Sequence, residues 1–174
     1  MTDREKDLTA LRAAIESAFR GVSYACNRPE DLVIASTPSE YPSLAPIFKD
    51  KKWEDWKDRP HEMIPPGMYT GCLSFLQPDA FRYFLPIFLL AGSSDLQQTG
   101  NWFGDALDLM VRPKDESQRW WYDEVFGKLT QEQLLAVNQT IDFLDKHYAW
   151  EGSAFHDQLG SIRFSLSHYL TPRM

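Results

Sequence analysis

Two cysteines in 174 residues, Cys26 and Cys72, are too few and too far apart for a disulfide framework or a zinc site. Both are read as free thiols, which suits a reducing compartment. A chain of this length can bury a full core in one domain without such a staple, so residues 1–174 are read as a single domain. Long hydrophobic runs are also missing. The longest nearly uncharged apolar stretch, residues 83–91, is nine residues and contains Pro86, where roughly 20 are needed to cross a bilayer. No membrane association is expected. The first seven residues, Met-Thr-Asp-Arg-Glu-Lys-Asp, lack the apolar segment of a secretion signal, and a cytoplasmic protein is expected.

Positive charge is scarce as well. Against 25 Asp and Glu stand 18 Lys and Arg, giving a net charge of −7, with Lys49-Asp-Lys-Lys52 as the one small basic cluster. Nucleic-acid binding draws its affinity from phosphate neutralisation and is therefore disfavoured. A basic protein suits this surface better as a partner.

Catalytic patterns are absent. His61, His147, His156 and His168 sit in no His-Glu-x-x-His, His-x-His or Cys-x-x-Cys setting, so no metal is expected. Adjacent His156 and Asp157 would point about 100° apart on a helix and do not face each other. Asp142 and Asp145 read as the solvated face of an amphipathic helix. No glycine-rich phosphate loop occurs, and Gly92-Ser-Ser-Asp95 reads as a helix terminator. Ser74 lacks a Gly-x-Ser-x-Gly setting. Nucleophilic catalysis and a cofactor find no support.

What is present is helical periodicity. Leu8, Leu11, Ile15, Ala18, Phe19 and Val22 form a stripe on a first helix ended by Gly21. Prolines at 29, 38, 42 and 46 predict a loop between Val22 and Pro46, with a helical turn near 30–35 and a short helix near 43–48. Trp53 and Trp56 fall three apart on a short helix, followed by an irregular segment at 59–68. A helix is read at 101–111 and another at 114–126. Thr130 with Gln133 forms a capping box for a helix at 131–148, striped by Leu134, Val137, Ile141, Leu144 and Tyr148. The last helix, 153–170, has Ser153 as its cap and ends at Thr171-Pro172. No strand alternation of any length occurs. The reading is an all-α, compact helical bundle with short peripheral helices.

Its centre is read at 78–91. Pro78 pre-sets a helical φ where no amide hydrogen is needed, and Asp79 places negative charge at the helix's positive end. Ala80, Phe81, Phe84, Leu85, Phe88 and Leu89 form one face, while Tyr83, Ile87 and Leu90 leave little polar surface elsewhere, so the helix should be surrounded. Pro86 removes the bond to the carbonyl of Arg82, at about 3 kcal/mol if nothing compensates, and predicts a kink there. Arg82 is the one charge between Asp79 and Asp95. Its guanidinium must reach solvent or meet a carboxylate and free carbonyls. A structural clamp is the first reading and an anion-binding role the second.

Leu73, Ser74, Phe75, Leu76, Pro78, Ala80, Phe81, Arg82, Tyr83, Leu85 and Pro86 also carry a resemblance. The run resembles an uncharacterised bacterial family, a domain of unknown function, whose members read approximately Leu-Ser-Phe-Leu-Thr-Pro-Glu-Ala-Phe-Arg-Tyr-Tyr-Leu-Pro. Gln77, Asp79 and Phe84 depart from it, and Gln is a poorer cap than Thr. The likeness extends more loosely from residues 18–21 to 129–133. It implies a fold and no chemistry.

Six Trp, seven Tyr and eleven Phe make the chain rich in aromatics. Trp53, Trp56, Trp120 and Trp121 lie among charged residues on short helices, and Trp with Tyr and Arg carries much of the binding energy at interfaces. Stacking of the short helices onto the bundle would bury the same indoles. The expected function is a non-enzymatic acidic interaction protein, an immunity-type or regulatory partner of a basic protein. The alternative is an enzyme or small-anion sensor with a cleft near Arg82 and Tyr83.

Overall fold

The helix opened by Pro78 is the middle of the molecule. In the computed structural model, which describes residues 1–24, 28–64, 71–94, 96, 99, 101–148 and 152–170, eight α-helices are assigned among the described residues. They are α1 (Asp3–Ala18), α2 (Pro29–Leu32), α3 (Tyr41–Phe48), α4 (Pro78–Ser94), α5 (Asn101–Leu109), α6 (Arg119–Phe126), α7 (Gln131–His147) and α8 (Ser153–Leu170). Short 3₁₀ turns at Pro38–Glu40, Trp53–Trp56, Pro60–Glu62, Cys72–Phe75 and Glu116–Gln118 fill the connections. The fold is all-α. Cys26, Thr171 and Pro172, and part of the 59–68 segment, lie outside the described residues, as does the side chain of Ser153.

Helix α4 packs against α1, α2, α5, α6 and α7. Phe81, Phe84, Leu85, Ile87, Phe88 and Leu90 are fully buried in it, and Tyr83 nearly so. Each such side chain contributes about 2 kcal/mol through removal from water, an upper figure because unfolded chains already hide some apolar surface. Around α4 the aromatic rings link up. Trp121 meets Phe81 edge-on at 4.9 Å, Phe81 meets Phe88 at 5.2 Å, and Phe88 meets Trp102 at 6.0 Å. Most of the aromatic richness is thus core.

Two expectations change. Helix α4 does not stop at Gly92 but runs through Ser94. A Cβ built on Gly92 would lie 1.9 Å from the Phe103 ring, so the missing side chain is what lets α5 approach. The hydroxyl of Ser93 is turned back onto the carbonyls of Leu89 and Leu90, satisfied inside the helix. Glycine there serves packing, not termination. Second, α6 begins only at Arg119, because Asp115 caps the preceding 3₁₀ turn through the amide of Ser117.

Helix boundaries elsewhere follow their local chemistry. Thr130 and Gln133 exchange both bonds of the capping box that starts α7, and Thr2 and Glu5 do the same for α1. Helix α7 packs against both α1 and α8, and α1 and α7 also pack against α4. Ahead of α4 the chain is pinned by backbone bonds. Ile34 N–H donates to Phe75 O and Gln77 N–H to Leu32 O, both at 2.9 Å, around an isolated antiparallel bridge of Val33 with Leu76. The Gln77 amide donates across to the carbonyls of Glu30 and Val33. At the departure from Thr, Gln thus ties α2 to the start of α4.

Candidate functional site

Arg82 is a clamp. Its Nη2 donates to Asp79 Oδ1 at 2.8 Å, one turn back on α4, and its Nη1 donates to the carbonyl of Glu124 at 3.1 Å. That carbonyl is one of the last four of α6, which no intrahelical amide can reach, and a cation is favoured at this negative end. The Arg82 side chain is 23% exposed, and its guanidinium is engaged on both sides within the protein. Tyr83 is buried beside Phe84 and Tyr24.

The four tryptophans separate. Trp53 is 2% exposed and belongs to the core, which corrects its expectation as an interaction surface; its indole N–H has no partner among the described residues. The correction has a tertiary cause, since the Trp53–Trp56 segment is a 3₁₀ turn packed against α4. Trp56 is half-buried, with the guanidinium of Arg59 5.2 Å from its ring. Trp121 is half-buried, donating from Nε1 to Leu76 O at 2.9 Å. Trp120 alone of the four is mostly exposed, at 53%.

The split between neighbours 120 and 121 follows from helix period. Trp121, Tyr122, Val125 and Phe126 turn toward the core, whereas Trp120, Asp123 and Glu124 fall at i, i+3 and i+4 on the outer face. That outer face borders a groove of about 740 Å³ lined by Tyr24, Glu30, Asp31, Gln77, Pro78, Asp79, Trp120, Asp123 and Glu124. Five carboxylates line it and no Lys or Arg does. The cations that pair with them stand outside: Arg28 on Asp31 and Glu30, Arg82 on Asp79, Arg112 on Asp123, and Lys128 on Glu124. Asp31 is bonded by Arg28 at both carboxylate oxygens, and Asp123 by Arg112 at both and by the Tyr169 hydroxyl.

Asp123 is the most constrained of the five. Burial works against its charge, but the Tyr169 hydroxyl and Arg112 outweigh that and hold its carboxyl below the usual range. Burial and the same carboxylate push the Tyr169 phenol up to about 12. Asp31 is likewise held low by Arg28. Asp31 and Asp123 are therefore charged at neutral pH.

Trp120 also lines a second concavity of about 360 Å³, with Ile34, Leu109, Val111, Pro113 and Trp121 among its apolar walls and Asp108, Ser117 and Gln118 among its polar ones. This pocket is mainly apolar. A third hollow, of about 310 Å³, lies between α1 and α7 over Ala10, Leu11, Ala14 and Phe143.

Side chains that periodicity placed on a solvated face form interhelical ties instead. Asp145 accepts from Arg163 at 2.8 Å and pairs with His156, and Asp142 accepts from Arg163 at 3.0 Å, joining α7 to α8. Asp7 pairs with His147 at 2.8 Å and with Lys146 at 2.6 Å, joining α1 to α7. These partners lie 11 to 140 residues apart in sequence, so no local pattern could have announced them. Among the described residues no three His, Cys, Asp or Glu side chains converge as a metal site, and no helix is long and apolar enough to cross a membrane.

Residues 7–169 match a family of unknown function, DUF6714. The chain belongs to that family. No curated protein and no solved structure matches it. For DUF6714 the reading therefore rests on geometry, and the geometry gives residues 73–86 a structural account. Leu73, Leu76, Ala80, Phe81 and Leu85 are fully buried, Arg82 clamps α6, and the backbone at 75–77 is bonded to α2 and its flank.

Proposed function

We propose that this protein is a non-enzymatic interaction protein that receives a basic partner protein, in an immunity-type or regulatory role, on the face built around Trp120. The observation that carries the reading is the half-exposed indole of Trp120 beside a groove whose charged lining residues are all acidic. Buried aromatic anchors ringed by polar groups dominate binding energy at interfaces, and complementary charge accelerates encounter. A net charge of −7 adds to attraction of a basic partner. A cytoplasmic setting is part of the proposal. The buried Cys72 thiol, pushed up to about 11 by burial and the nearby Asp105 charge, is a protonated, inert group that a reducing compartment would leave untouched.

The test is affinity recovery from the native host with the wild-type chain and with Trp120→Ala. Recovery of a basic protein by the first and its loss with the second is the expected result. Identical recovery by both, or a monodisperse wild-type monomer that retains nothing, removes the proposal.

A further inference from the structure

Away from Trp120, helix α7 carries an outer stripe that the fold leaves to solvent. Glu132, Leu135, Gln139, Asp142 and Lys146 are exposed and recur at three- and four-residue steps, while most positions between them are buried. Leu135 is 50% exposed, one of the few large apolar side chains so placed. Glu132 and Gln139 have no hydrogen-bond or ion-pair partner among the described residues. Beside the stripe lies the hollow of about 310 Å³ between α1 and α7. From α7 it takes Gln139, Asp142, Phe143 and Lys146, and from α1 it takes Ala10 and Ala14, whose side chains end at Cβ. The projecting Leu135 and the recess therefore stand on one helix, on opposite sides of Gln139. At about 1.5 Å per residue, Leu135 precedes Gln139 by about 6 Å and Phe143 follows it by the same distance; Glu132 and Lys146 lie about 10.5 Å to either side.

We infer that the hollow receives Leu135 of a second copy of this chain: two α7 helices meet antiparallel across a two-fold axis at Gln139, and each Glu132 faces the other copy's Lys146. A two-fold interface needs a surface that is its own complement. Reversed about Gln139, this stripe sets a carboxylate against an ammonium, a projecting Leu against a recess and an uncharged amide against itself. Opposite Asp142 falls buried Ala136, so no like charge faces it. A parallel pairing would set Glu132 against Glu132 and leave both hollows empty.

Charge of −7 on each chain opposes association, so contact belongs where charge is balanced. Around this stripe Asp142 is bonded by Arg163, and Asp7 by Lys146 and His147. Lys146, 61% exposed, gives Asp7 one of its three ammonium donors. The inference is independent of the Trp120 groove, none of whose lining residues belongs to the stripe.

Sedimentation velocity of the full chain from micromolar to millimolar concentration should show a reversible dimer. Leu135→Asn should weaken it about thirtyfold, since two half-exposed leucines leave water per dimer, and should leave thermal unfolding unchanged. Glu132→Lys and Lys146→Glu should each weaken it about tenfold, and the double variant should return to within about threefold of wild type. Within one chain these two side chains stand about 21 Å apart along the helix, so recovery can arise only between chains. Carbodiimide treatment of mixed isotopically heavy and light chains should join Glu132 of one label to Lys146 of the other. A monomer up to millimolar concentration, a dimer indifferent to Leu135→Asn, or absence of the mixed-label Glu132–Lys146 product would each overturn the inference. Should Lys146→Glu loosen the tie to Asp7 and unfold the chain, the mixed-label product and Glu132→Lys decide.

Discussion

Replacing Arg82 by Ala separates a clamp from an anion receptor, and the structure sets the size of the effect. The variant deletes a charged donor to the Glu124 carbonyl at 3.1 Å and an ion pair to Asp79 at 2.8 Å. Hydrogen bonds to charged groups contribute about 1.5–3 kcal/mol when shielded, and half-exposed ion pairs about 0.2–1 kcal/mol. With the Arg82 side chain 23% exposed and that of Asp79 48% exposed, the lower half of the first range applies and the second is small. A loss of about 2 kcal/mol follows once the packing of the Arg stem is included. For a chain in this size range that is a fall in Tm of about 4–8 °C. Arg82→Lys should fall between, because a single ammonium cannot reproduce the fork that spans a carboxylate and a carbonyl. Thermal unfolding followed by circular dichroism, with calorimetry to check two-state behaviour, provides the measurement. A cycle with Asp79→Ala isolates the ion pair, which should account for the smaller share. A Tm for Arg82→Ala within about 1 °C of wild type would refute the reasoning. So would added phosphate raising the Tm of the wild type by several degrees and that of Arg82→Ala not at all, since this would make Arg82 an anion site.

The other consequences are as direct. Trp53→Ala should cost about 3–5 kcal/mol as a core truncation, whereas Trp120→Ala should stay within about 1 kcal/mol, and equilibrium urea unfolding of the pair shows the order. Gly92→Ala should destabilise by about 1–3 kcal/mol despite the better helix propensity of Ala, because the added carbon meets the buried Phe103 ring; Phe103→Leu in the same chain should recover part of it. Asp7, held low by Lys146 and His147, and Asp145, held low by His156 and Arg163, are easier to ionise folded than unfolded. Their stabilisation is present above the ordinary Asp value of about 3.9 and is lost as pH falls through their lower folded values. In acid titrations of stability, Asp7→Asn and Asp145→Asn should each flatten the decline below about pH 4, and an unchanged slope would contradict the pairing.

The fold was legible where a signal is local and strong. The capping box at Thr130 and Gln133 needs only four residues, and the burial of α4 is written in an apolar surface that goes all the way round. Local signals failed where a distant residue overrode them. Gly92 reads as a stop until Phe103 is placed against it, and Asp142 and Asp145 read as solvated until Arg163 arrives from α8. The tryptophans divide along the same line. Position 120 could have been separated from 121 by period, since Trp121, Val125 and Phe126 repeat at helical spacing and Trp120 joins Asp123 and Glu124. Nothing local distinguishes Trp53, whose burial depends on a 3₁₀ turn lying against α4.

The groove was the least legible feature, for a physical reason that bears on function. Its walls come from Tyr24 and α2, from the residues just before and at the start of α4, and from α6, and these three groups are separated by about 40 residues or more in the chain. Backbone bonds at Leu32, Phe75 and Gln77 fix the first two walls to each other, while Arg82 and the Trp121 indole fix the third. Groove shape and fold stability therefore share the same ties. Changes at Gln77, Arg82 or Trp121 should disturb both at once. The side chains of Trp120 and Glu30 hold no wall in place among the described residues: one projects from the outer face of α6 and the other pairs with exposed Arg28. Substitutions at these two positions are the ones that can separate binding from folding, and any recognition this protein performs through the groove should depend on them before stability does.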